Sequence, residues 1–185
     1  MFQISTNSCL FLDRDGVINQ RLINDYVKNW DEFILLPGTI QALQLLQRHF
    51  STIVIVTNQQ GIAKGLHTEK DLEIIHQKML EEFQQNQIHI DAVFYSPNLA
   101  SENSPLRKPN IGMALKTKEL FTNIHLEESI MVGDSLSDMH FGKNAGMKTV
   151  FIDENETTNY NLDVIDTTFK SLLHFATYLT GHDDK

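Results

Sequence analysis

The sequence predicts a doubly wound α/β fold, and three observations carry the prediction. Short apolar runs recur along the chain, helical patterns fall between them, and the runs are continuously apolar rather than alternating. A strand apolar at every position is buried on both faces, as happens when helices cover both sides of a parallel sheet. Parallel neighbours need long crossover connections, and the intervening helices supply them. Cys9 to Leu12 reads as the first strand. From Gly38 to His49 a helix places Ile40, Leu43, Leu46 and Phe50 on one face. Thr52 to Val56 is the second strand. Thr68 to Gln84 is a helix with Leu72, Ile75, Met79 and Phe83 in register, and Thr68 and Asp71 are spaced as a capping box. Ala92 to Tyr95 is the third strand. Ser96 to Pro109, SPNLASENSPLRKP, has no regular pattern, and loops of that length in compact domains are often functional. A third helix follows from about Asn110 to Phe121, then a strand from Ile130 to Val132. Ser135 to Asn144 is a fourth helix closed by Gly146, Lys148 to Ile152 a fifth strand, and Thr168 to Leu179 a last amphipathic helix.

The 185 residues suit a single domain, 1–185, large enough to bury a core without disulfides. One cysteine, Cys9, excludes a disulfide framework and every multi-cysteine zinc site, and fits a reducing cytosol. No apolar run approaches the roughly 18 residues of a membrane span, and the start, MFQISTNS, has neither a basic cluster nor an apolar core. A soluble, cytoplasmic, monomeric protein is expected. The net charge of −9 disfavours nucleic-acid partners, whose binding draws on neutralised phosphates.

In open α/β sheets ligands sit beyond the carboxyl ends of the strands. The first strand is followed by LDRDG, with Asp13 and Asp15; the second by TNQQG, beginning at Thr57; the fourth by GDSLSD, with Asp134 and Asp138. Lys108, in RKP, precedes the third helix. Taken singly, each Asp also reads as an N-cap or turn residue, and Ser135 with Asp138 as a capping box. Taken together, that reading is costly, because two carboxylates 4 Å apart repel by about 4 kcal/mol at an effective dielectric of 20. Such a cluster wants a cation, and oxygen donors select Mg²⁺.

Phosphoryl transfer through an aspartyl intermediate asks for this set. A carboxylate attacks phosphorus only when the phosphate's charge is offset, and the rest is positioning and electrostatics. On this reading Asp13 is the nucleophile and, with Asp134, holds the metal. Asp15 gives a proton to the leaving oxygen and later takes one from water, with a pKa raised by its acidic neighbours. Thr57 and Lys108 bind phosphoryl oxygens, and Asp138 orients Lys108 or a metal-bound water.

DxD, Thr, Lys and GDxxxD in this order resemble the haloacid dehalogenase superfamily of phosphatases over nearly the whole chain. DRDGVIN, Tyr26-Val27, Pro37-Gly38, TNQQGIAKG and RKPNIGM look like its heptose bisphosphate and histidinol phosphatase branch. The resemblance implies the backbone carbonyl of Asp15 as a further metal ligand. It also implies substrate contacts at Asn58, Gln59, Lys64 and Arg107; the alternative for Asn58 and Gln59 is a turn-shaping role, which suits Gln59 equally well. The planar fork of Arg107 suits a second phosphate or a carboxylate. The spacing between Asp15 and Thr57 leaves no room for an inserted cap. Relatives of the branch carry zinc ligands where this chain has Ser96, Asn98, Ser104 and Leu106, so no zinc is expected.

The expected activity is Mg²⁺-dependent hydrolysis of a small phosphorylated metabolite, first a heptose bisphosphate or similar sugar phosphate. Histidinol phosphate is the nearest rival. A nucleic-acid 3′-phosphatase and a non-catalytic phosphate-binding module are the others. His67, His76 and His140 read as packing or surface residues, and Cys9 as a buried strand residue.

Overall fold

In the computed structural model, residues 2–154 and 163–181 are described. Six parallel strands form one sheet in the order β3-β2-β1-β4-β5-β6. They are β1 (Cys9–Leu12), β2 (Thr52–Asn58), β3 (Ala92–Ser96), β4 (Ile130–Gly133), β5 (Lys148–Ile152) and β6 (Thr167–Phe169). Five helices connect and cover them: α1 (Thr39–Leu46), α2 (Glu69–Gln85), α3 (Gly112–Leu120), α4 (Leu136–Asn144) and α5 (Leu172–Thr180).

The continuous apolar runs are explained by alternation between two buried faces. Leu10, Leu12, Ile53, Ile55, Ile130 and Val132 point into one core cluster, with Leu43 and Leu46 of α1, Ile75, Met79 and Phe83 of α2, and Phe175 of α5. Cys9, Phe11, Val54, Val56 and Met131 point into the other, with Met113 and Ala114 of α3 and Phe141 of α4. Cys9 is fully buried, and burial lifts its thiol pKa well above the ordinary range. Helix α2 opens on the expected capping box, Thr68 with Asp71. After α4 the chain turns at Gly146, whose φ of 83° is the left-handed region that glycine tolerates without a Cβ penalty.

The expected last helix is corrected at its start. Thr168 and Phe169 belong to β6, and α5 begins after Ser171, whose side chain accepts from the His174 N–H. Strand β6 is short, lies at the sheet edge and is only half buried, so it lacks the apolar run by which the other strands are recognised.

Between β1 and β2 the chain makes a flap and a single 3₁₀ turn, Trp30–Glu32, before α1. Trp30 stacks on Phe33 with ring centroids 5.0 Å apart, pinning the base of the flap. No helix among the described residues is long and apolar enough to cross a membrane.

Candidate active site

The carboxyl ends of β1, β2 and β4 and the loop after β3 open onto one cavity of about 430 Å³. Its lining includes Asp13, Asp15, Thr57, Asn58, Lys64, Arg107, Lys108, Asp134 and Asp138, so residues far apart in sequence meet there. Asp13 follows β1 directly, and its N–H donates to the Val132 carbonyl of β4 at 2.9 Å, tying the two strand ends together. Carboxylate oxygens of Asp13, Asp134 and Asp138 lie within 4.8 Å of one another.

Lys108 is buried among them. Its Nζ lies 2.7 Å from Asp13 Oδ1 and 2.6 Å from Asp138 Oδ1, and donates to the Val56 carbonyl at 2.7 Å. Burial works against its charge, but the two carboxylates outweigh burial and raise its pKa, so it stays an ammonium. Asn58 fixes the lysine's backbone from β2: its Oδ1 accepts from the Lys108 N–H at 3.0 Å and its Nδ2 donates to the Lys108 carbonyl at 3.1 Å. Asp138 serves two purposes. Its Oδ2 accepts from the Ser135 N–H at 3.1 Å at the start of α4, while Oδ1 meets Lys108.

One ammonium does not balance two buried carboxylates and a third that is half-buried. Burial and the nearby Asp138 push the Asp13 carboxyl well above the ordinary range, and the same two causes lift Asp134 to about 6. Asp134 Oδ2 accepts from Arg21 Nη1 at 3.0 Å, but its Oδ1 is buried and has no hydrogen-bond partner among the described residues. An all-oxygen, electron-rich set with an orphaned oxygen fits a hard divalent cation. Gly16 makes room for the Asp134 carboxylate: φ is 99°, and a Cβ there would collide with it.

Asp15 behaves differently from the expectation. Burial would raise its pKa, but the charge of Arg14 and hydrogen bonds from Arg14, Asn19 and Gln59 lower it below the ordinary value. Arg14 is completely buried, with Nη2 2.9 Å from each Asp15 oxygen and Nη1 3.1 Å from His76 Nε2. The expected raising by acidic neighbours is therefore corrected: the neighbour that matters is a cation adjacent in sequence.

Gln59 also departs from the expectation of a substrate contact. It is completely buried and absent from the cavity wall, and its Nε2 lies 2.8 Å from both Thr57 Oγ1 and Asp15 Oδ2. Its neighbour Gln60 lines the cavity instead. At the mouth, Lys64 Nζ lies 3.2 Å from Tyr26 Oη and 5.2 Å from that ring's centre, and Arg107 Nη1 donates to the Asn98 carbonyl at 3.1 Å. Arg21 was not anticipated; it sits in a flap whose sequence has no periodicity to give its direction. His67 and His76 are buried packing residues and His140 is exposed.

With this geometry in place, comparison with known proteins is decisive. The polynucleotide kinase 3 phosphatase family model matches residues 9–170. The chain belongs to this family of haloacid dehalogenase phosphatases. A D-glycero-alpha-D-manno-heptose-1,7-bisphosphate 7-phosphatase of Mycobacterium bovis is 40% identical over 136 residues, 74% of this chain and 72% of the relative. One from Campylobacter jejuni is 38% identical over 147 residues, 80% of this chain and 83% of the relative. The crystal structure of D,D-heptose 1.7-bisphosphate phosphatase from B. bronchiseptica, complexed with magnesium and phosphate, superposes with a TM-score of 0.84 at 31% identity. The match covers 95% of this chain and 99% of that one. This haloacid dehalogenase phosphatase is thus a phosphoric monoester hydrolase built on the expected α/β fold.

Proposed function

We propose that the chain is a Mg²⁺-dependent sugar-phosphate phosphatase that acts through a phosphoaspartyl intermediate, with a D-glycero-D-manno-heptose 1,7-bisphosphate as first substrate. The observation that carries this reading is the convergence of Asp13, Asp134 and Asp138 around Lys108 in one cavity. The names of the relatives support the choice of sugar.

In the first half-reaction a carboxylate oxygen of Asp13 forms a bond to phosphorus as the bond from phosphorus to the sugar oxygen breaks. The proton on Asp15 passes to that leaving oxygen. In the second, Asp15 takes a proton from water, whose oxygen attacks phosphorus, releases phosphate and restores Asp13. The lowered pKa keeps Asp15 ionised in the free site. An arriving phosphate, as a second negative charge, raises it, favouring the proton that the first half-reaction needs and strengthening Asp15 as the base of the second. Thr57 and Lys108 hold phosphoryl oxygens. Asp13 and Asp134, with the Asp15 carbonyl, would hold Mg²⁺, which supplies neutralisation of the phosphoryl charge. Asp138 keeps Lys108 in place. Asn58 and Gln59 support this set from below, while Lys64 and Arg107 meet a second anionic group at the mouth.

Ser96, Asn98, Ser104 and Leu106 offer neither thiolate nor imidazole, which supports a loop built without zinc. A single buried cysteine supports a cytoplasmic enzyme, acting as a monomer on its small substrate within the one domain 1–185.

The test is phosphate release from the heptose bisphosphate. Activity should disappear in EDTA, return with Mg²⁺, and be lost in Asp13→Asn with folding intact. Beryllium fluoride should inhibit by occupying the phosphoaspartyl position. Full turnover in chelator, or an active Asp13→Asn enzyme, would overturn the reading.

A further inference from the structure

We propose that Glu102, an exposed residue outside the cavity, is a positioning residue for Arg107 and thereby sets the preference for substrates with a second anionic group. The inference rests on the reading of Arg107 as the contact for that group.

Arg107 lines the cavity, and among the described residues it has no carboxylate within ion-pair distance; its recorded partner is the Asn98 carbonyl. Its partial burial lowers its pKa, yet a guanidinium remains charged at any working pH. In a chain of net charge −9, a half-buried cation without a carboxylate partner is a ready contact for an anion from outside. Its direction depends on the Asn98 carbonyl, and that carbonyl depends on a short clamp. Glu102 Oε2 accepts from Asn98 Nδ2 at 2.9 Å and from the Leu99 N–H at 2.9 Å, closing the 3₁₀ turn Ala100–Glu102 back on the residues before it. The base of the loop is fixed independently, since the Ser96 carbonyl accepts from the Gln59 N–H at 2.7 Å. Between that base and Arg107, the Glu102 carboxylate holds residues 98 and 99 together. Losing it frees the Asn98 carbonyl to turn away, and the guanidinium loses the acceptor that aims it.

The experiment compares heptose 1,7-bisphosphate with heptose 7-phosphate, which keeps the scissile group and lacks the second anion. Glu102→Ala should raise KM for the bisphosphate roughly fivefold, the scale of a weakened surface anion contact. Its kcat, and both constants for the monophosphate, should stay unchanged. Asn98→Ala, which removes the same Nδ2 bond, should give the same split, and Glu102→Gln, which keeps an oxygen acceptor, should behave as the parent. Adding Glu102→Ala to Arg107→Ala should produce no further loss, as expected of residues acting through one contact. Equal effects on both substrates, additive losses in the double variant, or a Gln variant as impaired as Ala would each overturn the proposal. If Arg107→Ala itself fails to discriminate the two substrates, the second-anion reading falls instead.

Discussion

The guanidinium of Arg14 donates to Nε2 of His76 at 3.1 Å, joining β1 to α2 inside the core. A guanidinium has only donors, so Nε2 must be the unprotonated nitrogen of the ring. Burial, reinforced by the charge of Arg14, drives the His76 pKa down to about 3.

The consequence for stability has a definite sign. The unfolded chain protonates this histidine near pH 6.5, the folded one only near pH 3, so stability falls as pH drops through that window. The loss approaches roughly 1.4 kcal/mol per pH unit. His76→Gln keeps an acceptor for Arg14 and does not titrate. Urea unfolding of both proteins between pH 7.5 and 4 should show the parent losing stability faster, and parallel profiles would contradict the assignment.

Asp134 has the opposite sign. Its pKa is raised to about 6, so the folded state holds a proton that the unfolded state has released, and stability falls as pH rises between about 4 and 6. Without divalent cations, Asp134→Asn should therefore be the more stable protein at pH 8, by on the order of 2 kcal/mol. Mg²⁺ should raise the melting temperature of the parent and leave that of the variant unmoved. A variant stabilised equally by Mg²⁺ would place the cation elsewhere.

Gln59 spans Thr57 and Asp15, the proposed phosphoryl contact and the proposed acid/base. Gln59→Leu preserves the volume of the buried site and removes both donated bonds. Turnover should drop by roughly tenfold to a hundredfold, less than the roughly hundredfold to ten-thousandfold that a general acid/base itself contributes, because Asp15 stays in place. KM should change little. Unchanged kcat in a folded variant would show that Asp15 needs no such support.

The family model carries the name of a 3′-phosphatase of polynucleotides, so that substrate class needs its own trial. At about 0.15 M salt, where long-range charge attraction is screened beyond roughly 8 Å, a 3′-phosphorylated oligonucleotide should release far less phosphate than the heptose bisphosphate. Comparable rates would reverse the ranking of substrates.

Much of the fold is readable in the sequence because burial on both faces leaves continuous runs such as Cys9 to Leu12 and Thr52 to Val56. Strand β6 escapes because half-burial at an edge leaves no such run. The carboxylates, Thr57 and Lys108 are readable because strand ends converge by topology. Two features are not. Arg14, between two aspartates, looks like a solvated charge until the fold buries it completely, and Gln59 is one of two adjacent glutamines that only backbone direction distinguishes. Both depend on where a side chain points in an irregular turn, which periodicity does not encode.

The strand order divides labour within the cavity. Asp13 and Asp134 follow the adjacent central strands β1 and β4 and Asp138 lies in the helix after β4, while Asn58 ends β2, Lys64 follows it, and Arg107 lies in the loop beyond β3. Thr57 and Lys108 come from that same outer half, so selection for a new substrate is confined to its rim, at Lys64 and Arg107, and must spare the two residues proposed to face the phosphoryl group.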